Sequence, residues 1–392
     1  MSNKNGRFQG CSPETKLLKA GGEYTEHGFV NPAIYRGSTI LFSDVDALHS
    51  RNQAYLYGRD GGPTHRALEQ AIATLEGGHT ALLCPSGLSA ITTALLSLVS
   101  AGDHVLMTDS VYRPARYFCD HVLKRLGVET EYYDPLIGGD IARLIRPNTR
   151  LVYTEQPGSQ TMEVQDLPAI AQAAHARNVL VVLDNTWATG RFFNAFAHGV
   201  DVVVTAGTKY YSGHSDVMLG AIIASKAATR QMAAGHHALG PCVSPDDAFL
   251  VLRGLRTLDV RLKQHMANGL TVARWLQNRP EVERVLYPAL PDDPGHGLWA
   301  RDFTGATGLF SVILKPVSEQ ALANMLNGMS LFGMGYSWGG YESLIVPFDP
   351  SGYRTATPWQ AAPALRLHIG LEATEDLIAD LKAGFARLGG VC

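Results

Sequence analysis

What this chain of 392 residues lacks narrows the reading first. No run approaches the ~18 consecutive apolar residues of a membrane-spanning helix, so no membrane association is expected. The opening Met1-Ser-Asn-Lys-Asn-Gly has no apolar core, so no signal peptide is expected either. Cysteine is scarce: Cys11, Cys84, Cys119, Cys242 and Cys392 are odd in number and form no C-x-x-C. That argues against a disulfide framework or a zinc ribbon and fits a reduced, cytoplasmic protein. Charge of one sign is also missing. Lys and Arg total 33 against 36 Asp and Glu, a net charge of −3, which gives no electrostatic case for binding nucleic acid or an anionic membrane. There is no internal repeat, no low-complexity tract and no phosphate-loop or dinucleotide glycine fingerprint. His214 and His368 have no partners at zinc spacing and His236-His237 reads as a loop, so no metal site is expected.

Apolar runs are what the sequence does have. Residues 1–58 are rich in Gly, Asn and Ser and show little periodicity, which predicts an extended arm. From Pro63, Ala67, Leu68, Ala71, Ile72 and Leu75 recur at helical spacing until Gly77-Gly78. Short strands are then expected at 81–84, 104–108, 150–154, 179–183, 202–205 and 220–224, separated by helical patterns. Nearly all-apolar strands of this kind predict a mostly parallel central sheet flanked by helices on both faces. A helical pattern from Ser244 to about Trp275, broken near Gly254, leads into strand-like segments at 285–287, 308–314 and 365–369. The expected division is an arm (1–58), an α/β domain (59–250) and a smaller α+β domain (251–392).

Ligands of such sheets bind at the carboxyl ends of the strands. Asp184 follows the run 179–183, in "VLDNTWATG". Lys209 follows the run 202–205, in "TAGTKYYSGHSD". Each has a plainer reading alone: Asp184 as a helix cap, Lys209 as a lysine reaching for solvent. Consecutive parallel strands end on the same edge, however, so the two side chains can face one pocket. A desolvated amine beside a buried carboxylate suits pyridoxal phosphate: the lysine bonds the aldehyde and the aspartate keeps the pyridine nitrogen protonated. The remaining needs have candidates. Ser86-Gly87-Leu88 opens a helix whose amides can hold a phosphate. Tyr112 lies past the 104–108 strand and can stack on a ring. Arg366, inside "ALRLHIGLE", can fork a substrate carboxylate.

With these residues in place, the chain resembles the pyridoxal-phosphate-dependent Cys/Met metabolism family. The resemblance rests on "YLYGRDGGPTHRALEQAIATLEGG", "CPSGLSAI", "QPGSQTMEVQDLPAI", "LDNTWATG", "TKYYSGHSD", "SPDDAFLVLRGLRTL", "GYSWGGYESLI" and "RLHIGLE", in order, from about residue 15 to 390. It implies fold type I of the pyridoxal-phosphate enzymes, the aspartate-aminotransferase-like fold. It also implies roles. Lys209 carries the cofactor and acts in catalysis with Tyr112, which stacks on the ring. Asp184 meets the ring nitrogen. Gly87, Leu88 and Thr208 hold the phosphate, and Tyr57 and Arg59 reach it from the neighbouring subunit. Arg366, Ser337 and Asn185 position the substrate carboxylate. Where many members have a serine three residues before the lysine, this chain has Ala206. The implied assembly is a homotetramer, a dimer of dimers with active sites shared across each dimer.

The same resemblance bears on the reaction. Gamma-acting members commonly carry Glu then Ser-Leu-Gly-Gly where this chain has Tyr336-Ser337-Trp338-Gly339-Gly340. Tyr336 and Trp338 therefore imply β-elimination from a small sulfur amino acid, with L-cystathionine giving homocysteine, pyruvate and ammonia. The gamma-lyase and gamma-synthase reactions of the family, and an inactive cofactor-binding regulator, are the alternatives. Cystine, cysteine and S-conjugates offer the same β-carbon chemistry.

Overall fold

The computed structural model describes residues 8, 10–359 and 363–388. The Met1–Gly6 stretch and Cys392 lie outside them. Two short helices, α1 (Pro13–Lys19) and α2 (Val45–Ser50), interrupt the expected arm. α1 is tied down: Arg256 donates to the carbonyls of Leu17 and Leu18, and Arg191 pairs with Glu14 at 2.9 Å. The arm is therefore extended only in part.

α3 (Pro63–Glu76) begins with Pro in its first turn, where a missing amide costs nothing, and stops at Gly77, whose φ of 77° is left-handed. Ala67, Leu68, Ala71 and Ile72 form its buried stripe. Strands β1 (Thr80–Cys84), β2 (His104–Thr108), β3 (Glu129–Tyr133), β4 (Thr149–Glu155), β5 (Leu180–Asp184), β6 (Val202–Thr205) and β7 (Gly220–Ala224) make one seven-stranded sheet. Its order is β1-β7-β6-β5-β4-β2-β3. From β6 to β3 every pairing is parallel, and β7 runs antiparallel to both β1 and β6. β2, β6 and β7 are buried at every residue. Between β1 and β2 lies α4 (Gly87–Leu98), capped by Ser86 Oγ, which accepts from the Ser89 amide at 3.0 Å.

The helices Pro245–Leu255 and Leu258–Gln277 meet at Arg256-Thr257, so the expected 250/251 boundary falls inside a helix. β8 (Val282–Leu286), β9 (Leu309–Leu314), β10 (Leu344–Phe348) and β11 (Ala364–His368) form a second, wholly antiparallel sheet in the order β10-β11-β9-β8. His236 and His237 sit in the helix Thr229–Leu239 rather than in a loop.

A buried carboxylate locks the second unit onto the first. Asp109, one residue past β2 and fully buried, accepts from the amides of Ala356 at 2.9 Å and Thr357 at 2.8 Å and pairs with Arg116. Burial pushes its carboxyl up, but the amides of Thr357 and Thr355 and the guanidiniums of Arg116 and Arg354 outweigh that and hold it below the ordinary range. A group depressed in this way stabilises the fold above the unfolded carboxylate range and loses the effect as pH falls through its folded value. Asp109→Asn is expected to cost about 3–5 kcal/mol in urea unfolding at pH 7. The gap to wild type should close as the medium is acidified, once Asp109 itself is protonated. A gap that persists at low pH would show that packing, not charge, is responsible.

Candidate active site

The carboxyl ends of β2, β4, β5 and β6 share one edge of the large sheet, and the sequence places a polar residue at each. Asp184 is the last residue of β5 and stands in register with Glu155, the last residue of β4. Four residues past β6, the main-chain amide of Lys209 donates to the Ala206 carbonyl at 3.0 Å. That turn aims the side chain toward the second unit, where Nζ donates to Ser337 Oγ at 2.6 Å and lies 5.4 Å from the centre of the Trp338 ring.

Burial dominates the electrostatics. It pulls the Lys209 amine down to about 8, with help from the nearby Arg366 charge and against the pull of Asp184. It pushes both carboxyls of the Glu155–Asp184 pair up, Glu155 the further because the Asp184 charge on the adjacent strand adds to its burial, while Thr186 and Lys209 pull Asp184 back down. The pair is partly offset on each side. Thr186 donates to Asp184 Oδ1 through its amide at 3.0 Å and through its hydroxyl. The Tyr112 amide donates to Glu155 Oε2 at 2.7 Å. Glu155 was not singled out from the sequence, although it carries the signal that marked Asp184: a carboxylate closing a buried apolar run.

Tyr112 is half-exposed, and its hydroxyl is held above the usual tyrosine range by burial and by Glu155 and Asp184, with Arg366 opposing. Arg366 projects from the middle of β11 and donates to the Ser337 carbonyl at 2.9 Å; burial lowers it to about 10. Ser337 therefore joins lysine and arginine, one through its hydroxyl and the other through its carbonyl. Its φ of 85° is a left-handed conformation rare for a residue with a side chain. Strain of this kind concentrates at functional sites. On its flanks, Tyr336 is exposed and Trp338 packs on Tyr210.

Gly87 and Leu88 are the first two residues of α4, where a helix leaves its amides without internal acceptors. Ala206 packs against Gly87 so closely that a Cβ on Gly87 would overlap its methyl. The Ala206 amide donates to the Thr186 hydroxyl at 2.9 Å, linking this turn to Asp184.

Four expected residues stand differently. The Thr208 hydroxyl donates to the Leu219 carbonyl at 3.1 Å and accepts from the Leu219 amide at 2.9 Å, so it must turn to serve a phosphate. Asn185 is fully buried and donates to Glu76 at 2.8 Å and to the Phe193 carbonyl at 3.2 Å, so it does not face the cleft. The alternation along an extended backbone turns it to the face opposite Asp184. Tyr57 and Arg59 stand apart from Lys209, exposed: the guanidinium lies 5.5 Å over the Tyr57 ring and 3.8 Å from Asp60.

The cluster suits a cationic aromatic phosphate. Both Thr186 bonds go to Oδ1 of Asp184, which leaves Oδ2 for a ring N–H. A protonated ring would also relieve the repulsion within the carboxyl pair. Lys209 offers a neutral amine for an aldehyde, Tyr112 a stacking face, and the start of α4 anion-binding amides. Among the described residues no group of His, Cys, Asp and Glu could hold a metal, and no helix is long and apolar enough to cross a membrane.

Because a depressed amine is nucleophilic at lower pH, Lys209 in cofactor-free protein should react with an amine-directed reagent with a midpoint near pH 8. Ordinary lysines hold their protons to about 10.4. Peptide mapping across pH 6–11 checks this; a Lys209 midpoint above 10 would remove the case for a desolvated amine.

The chain is similar over nearly its whole length to known proteins. Over 389 residues the chain is 46% identical to cystathionine beta-lyase MetC of Escherichia coli, covering 96% of this chain and 98% of that protein. It is also 46% identical, over the whole of both chains, to a putative cystathionine beta-lyase of Rhizobium johnstonii. The solved structure of metB from Corynebacterium glutamicum superposes with a TM-score of 0.89 at 31% identity, covering 96% of this chain and 98% of that one. Residues 14–386 match the family described as Cys/Met metabolism PLP-dependent enzyme. The chain belongs to that family, and pyridoxal phosphate is its cofactor.

Proposed function

We propose that the protein is a carbon–sulfur lyase that removes homocysteine from L-cystathionine by β-elimination, leaving pyruvate and ammonia. The observation that carries this is a desolvated lysine, Lys209, within 2.6 Å of Ser337 in the turn that also accepts Arg366. One element thereby positions a base next to a carboxylate fork. The relatives named as cystathionine beta-lyases support the substrate, and Tyr336 and Trp338 support β over γ chemistry.

Bound pyridoxal phosphate supplies an electron sink for the carbanion left when the α-proton departs. The chain's own residues do the rest. Arg366 binds the substrate α-carboxylate in a two-pronged contact, with Ser337 beside it. Lys209 Nζ, neutral for a useful fraction of molecules near pH 8, takes the α-proton. The Cβ–S bond breaks, and Lys209 or Tyr112 returns a proton to the leaving sulfur. The three-carbon remainder is hydrolysed to pyruvate and ammonia. Asp184, with Glu155 behind it, would hold the proton on the ring nitrogen. Gly87, Leu88 and, once its hydroxyl turns, Thr208 would hold the phosphate, and Tyr112 and Trp338 would wall the pocket, with Tyr336 at its mouth.

The active assembly is a homotetramer of two dimers in the cytoplasm, with Tyr57 and Arg59 completing the neighbour's phosphate site. The exposure of Tyr57, and of Phe29, Val30 and Leu41 in the arm, supports an assembly that covers them. We divide the chain as an arm to residue 58, an α/β domain to 250 and an α+β domain beyond.

Purified holoenzyme given L-cystathionine should release homocysteine and pyruvate in equal amounts. Cysteine with 2-oxobutyrate would overturn the β assignment. Lys209→Ala should lower kcat by at least about 1,000-fold with the fold intact by circular dichroism. Arg366→Lys loses the fork and should lower kcat/KM by about 10–100-fold, chiefly through KM. An unchanged KM would place the substrate carboxylate elsewhere.

A further inference from the structure

Glu76 stands where two physical rules oppose it. It is the last residue of α3, at the end of a helix that carries partial negative charge, and it is 1% exposed. None of its partners is cationic. Its carboxyl accepts from the Tyr211 hydroxyl and the Gly190 amide (2.7 Å) on Oε1, and from Asn185 Nδ2 (2.8 Å) on Oε2. Burial and the nearby Asp184 push its carboxyl up, while Tyr211, Asn185 and Gly190 pull it down. Replacing a buried charge by an apolar residue of similar volume is often neutral or stabilising, so stability alone does not explain a glutamate here. A local rule broken in this way points to function.

The partners supply the reason. Asn185 follows Asp184 in sequence, and Tyr211 lies two residues past Lys209. We infer that Glu76 is a positioning residue: its carboxylate ties the turn after Asp184 to the segment after Lys209 and so fixes the distance between the two groups that grip the cofactor. The inference deepens the proposed function and rests on Lys209 and Asp184 both contacting pyridoxal phosphate. Gly190, in the short helix Thr189–Phe192, is a third anchor that steadies the carboxylate from another side. The Asn185 side chain adds a detail. Its Oδ1 is buried without a partner, so the amide group is oriented by Glu76 and the Phe193 carbonyl.

That detail sets the test. In Glu76→Gln the new oxygen can serve Tyr211 and Gly190, and the new amide can meet Asn185 Oδ1 once Asn185 turns over and gives up its bond to the Phe193 carbonyl. In Glu76→Leu both ties are lost. Tyr211→Phe cuts only the tie on the Lys209 side. Three readouts are taken on holoenzymes: the cofactor dissociation constant, the visible circular dichroism of the bound cofactor, and kcat and KM. The leucine variant should bind cofactor about tenfold more weakly. Its visible dichroism should fall, and kcat should drop with KM little changed, because the Arg366–Ser337 side is untouched. Tyr211→Phe should move the same way by about threefold, and the glutamine variant should stay within about twofold of wild type. Should Glu76→Leu fail to fold, Tyr211→Phe decides, and wild-type values in it overturn the inference. A glutamine variant as impaired as the leucine variant also overturns it, since charge rather than spacing would then be at work. Borohydride trapping on wild type separates the two levels: a reduced cofactor found away from Lys209 defeats the proposed function itself. Trapping at Lys209 together with wild-type cofactor binding in Glu76→Leu defeats only the role of Glu76.

Discussion

Everything at this site depends on two carboxyls, Glu155 and Asp184, ending neighbouring parallel strands in a dry part of the protein. Like charges that close raise each other's proton affinity, and low solvent exposure strengthens the effect. Such a pair is costly until a positive partner arrives, and Lys209 on the same edge fills that part poorly. The amine is disfavoured as a cation by its own burial, while the carboxyls are disfavoured as anions. Each group is thus held toward its neutral form. A cofactor that brings a protonated ring nitrogen and accepts a neutral amine fits both biases at once.

The second unit supplies two of the clustered side chains. β11 carries Arg366, the turn before β10 carries Ser337, and the Asp109 anchor holds the segment 355–357 against the end of β2, three residues before Tyr112. The segment 355–357, between β10 and β11, is therefore joined to the end of β2 through one buried ion cluster. A change in the packing of either unit would be felt by Tyr112 and Arg366 together.

Much of this was legible in the sequence because burial writes itself as uninterrupted apolar runs. Six strands of the large sheet and three of the small one read out directly, and the ends of two of them gave Asp184 and Lys209. What did not read out has physical reasons. β3 is an edge strand, Glu-Thr-Glu-Tyr-Tyr, whose outer face needs no apolar residues. β10 contains Pro347, which an edge strand tolerates but which argues against a strand on sight. The family resemblance implied a place for Asn185 beside the substrate carboxylate, yet extended backbone sends neighbours to opposite faces and turns it away from Asp184. Glu76 was not singled out from the sequence, because its three donors come from segments over 100 positions away.

The left-handed backbone at Ser337 constrains how this pocket can diversify. A position with φ near 85° tolerates glycine, asparagine or a small polar residue far better than a branched one, so bulk cannot be introduced there without rebuilding the turn. Tyr336 and Trp338, on either side, lack a positive φ, so their backbone does not restrict which side chain stands there. Descendants of this chain that acquire new substrates should therefore vary at the shoulders of the turn and leave its apex nearly constant.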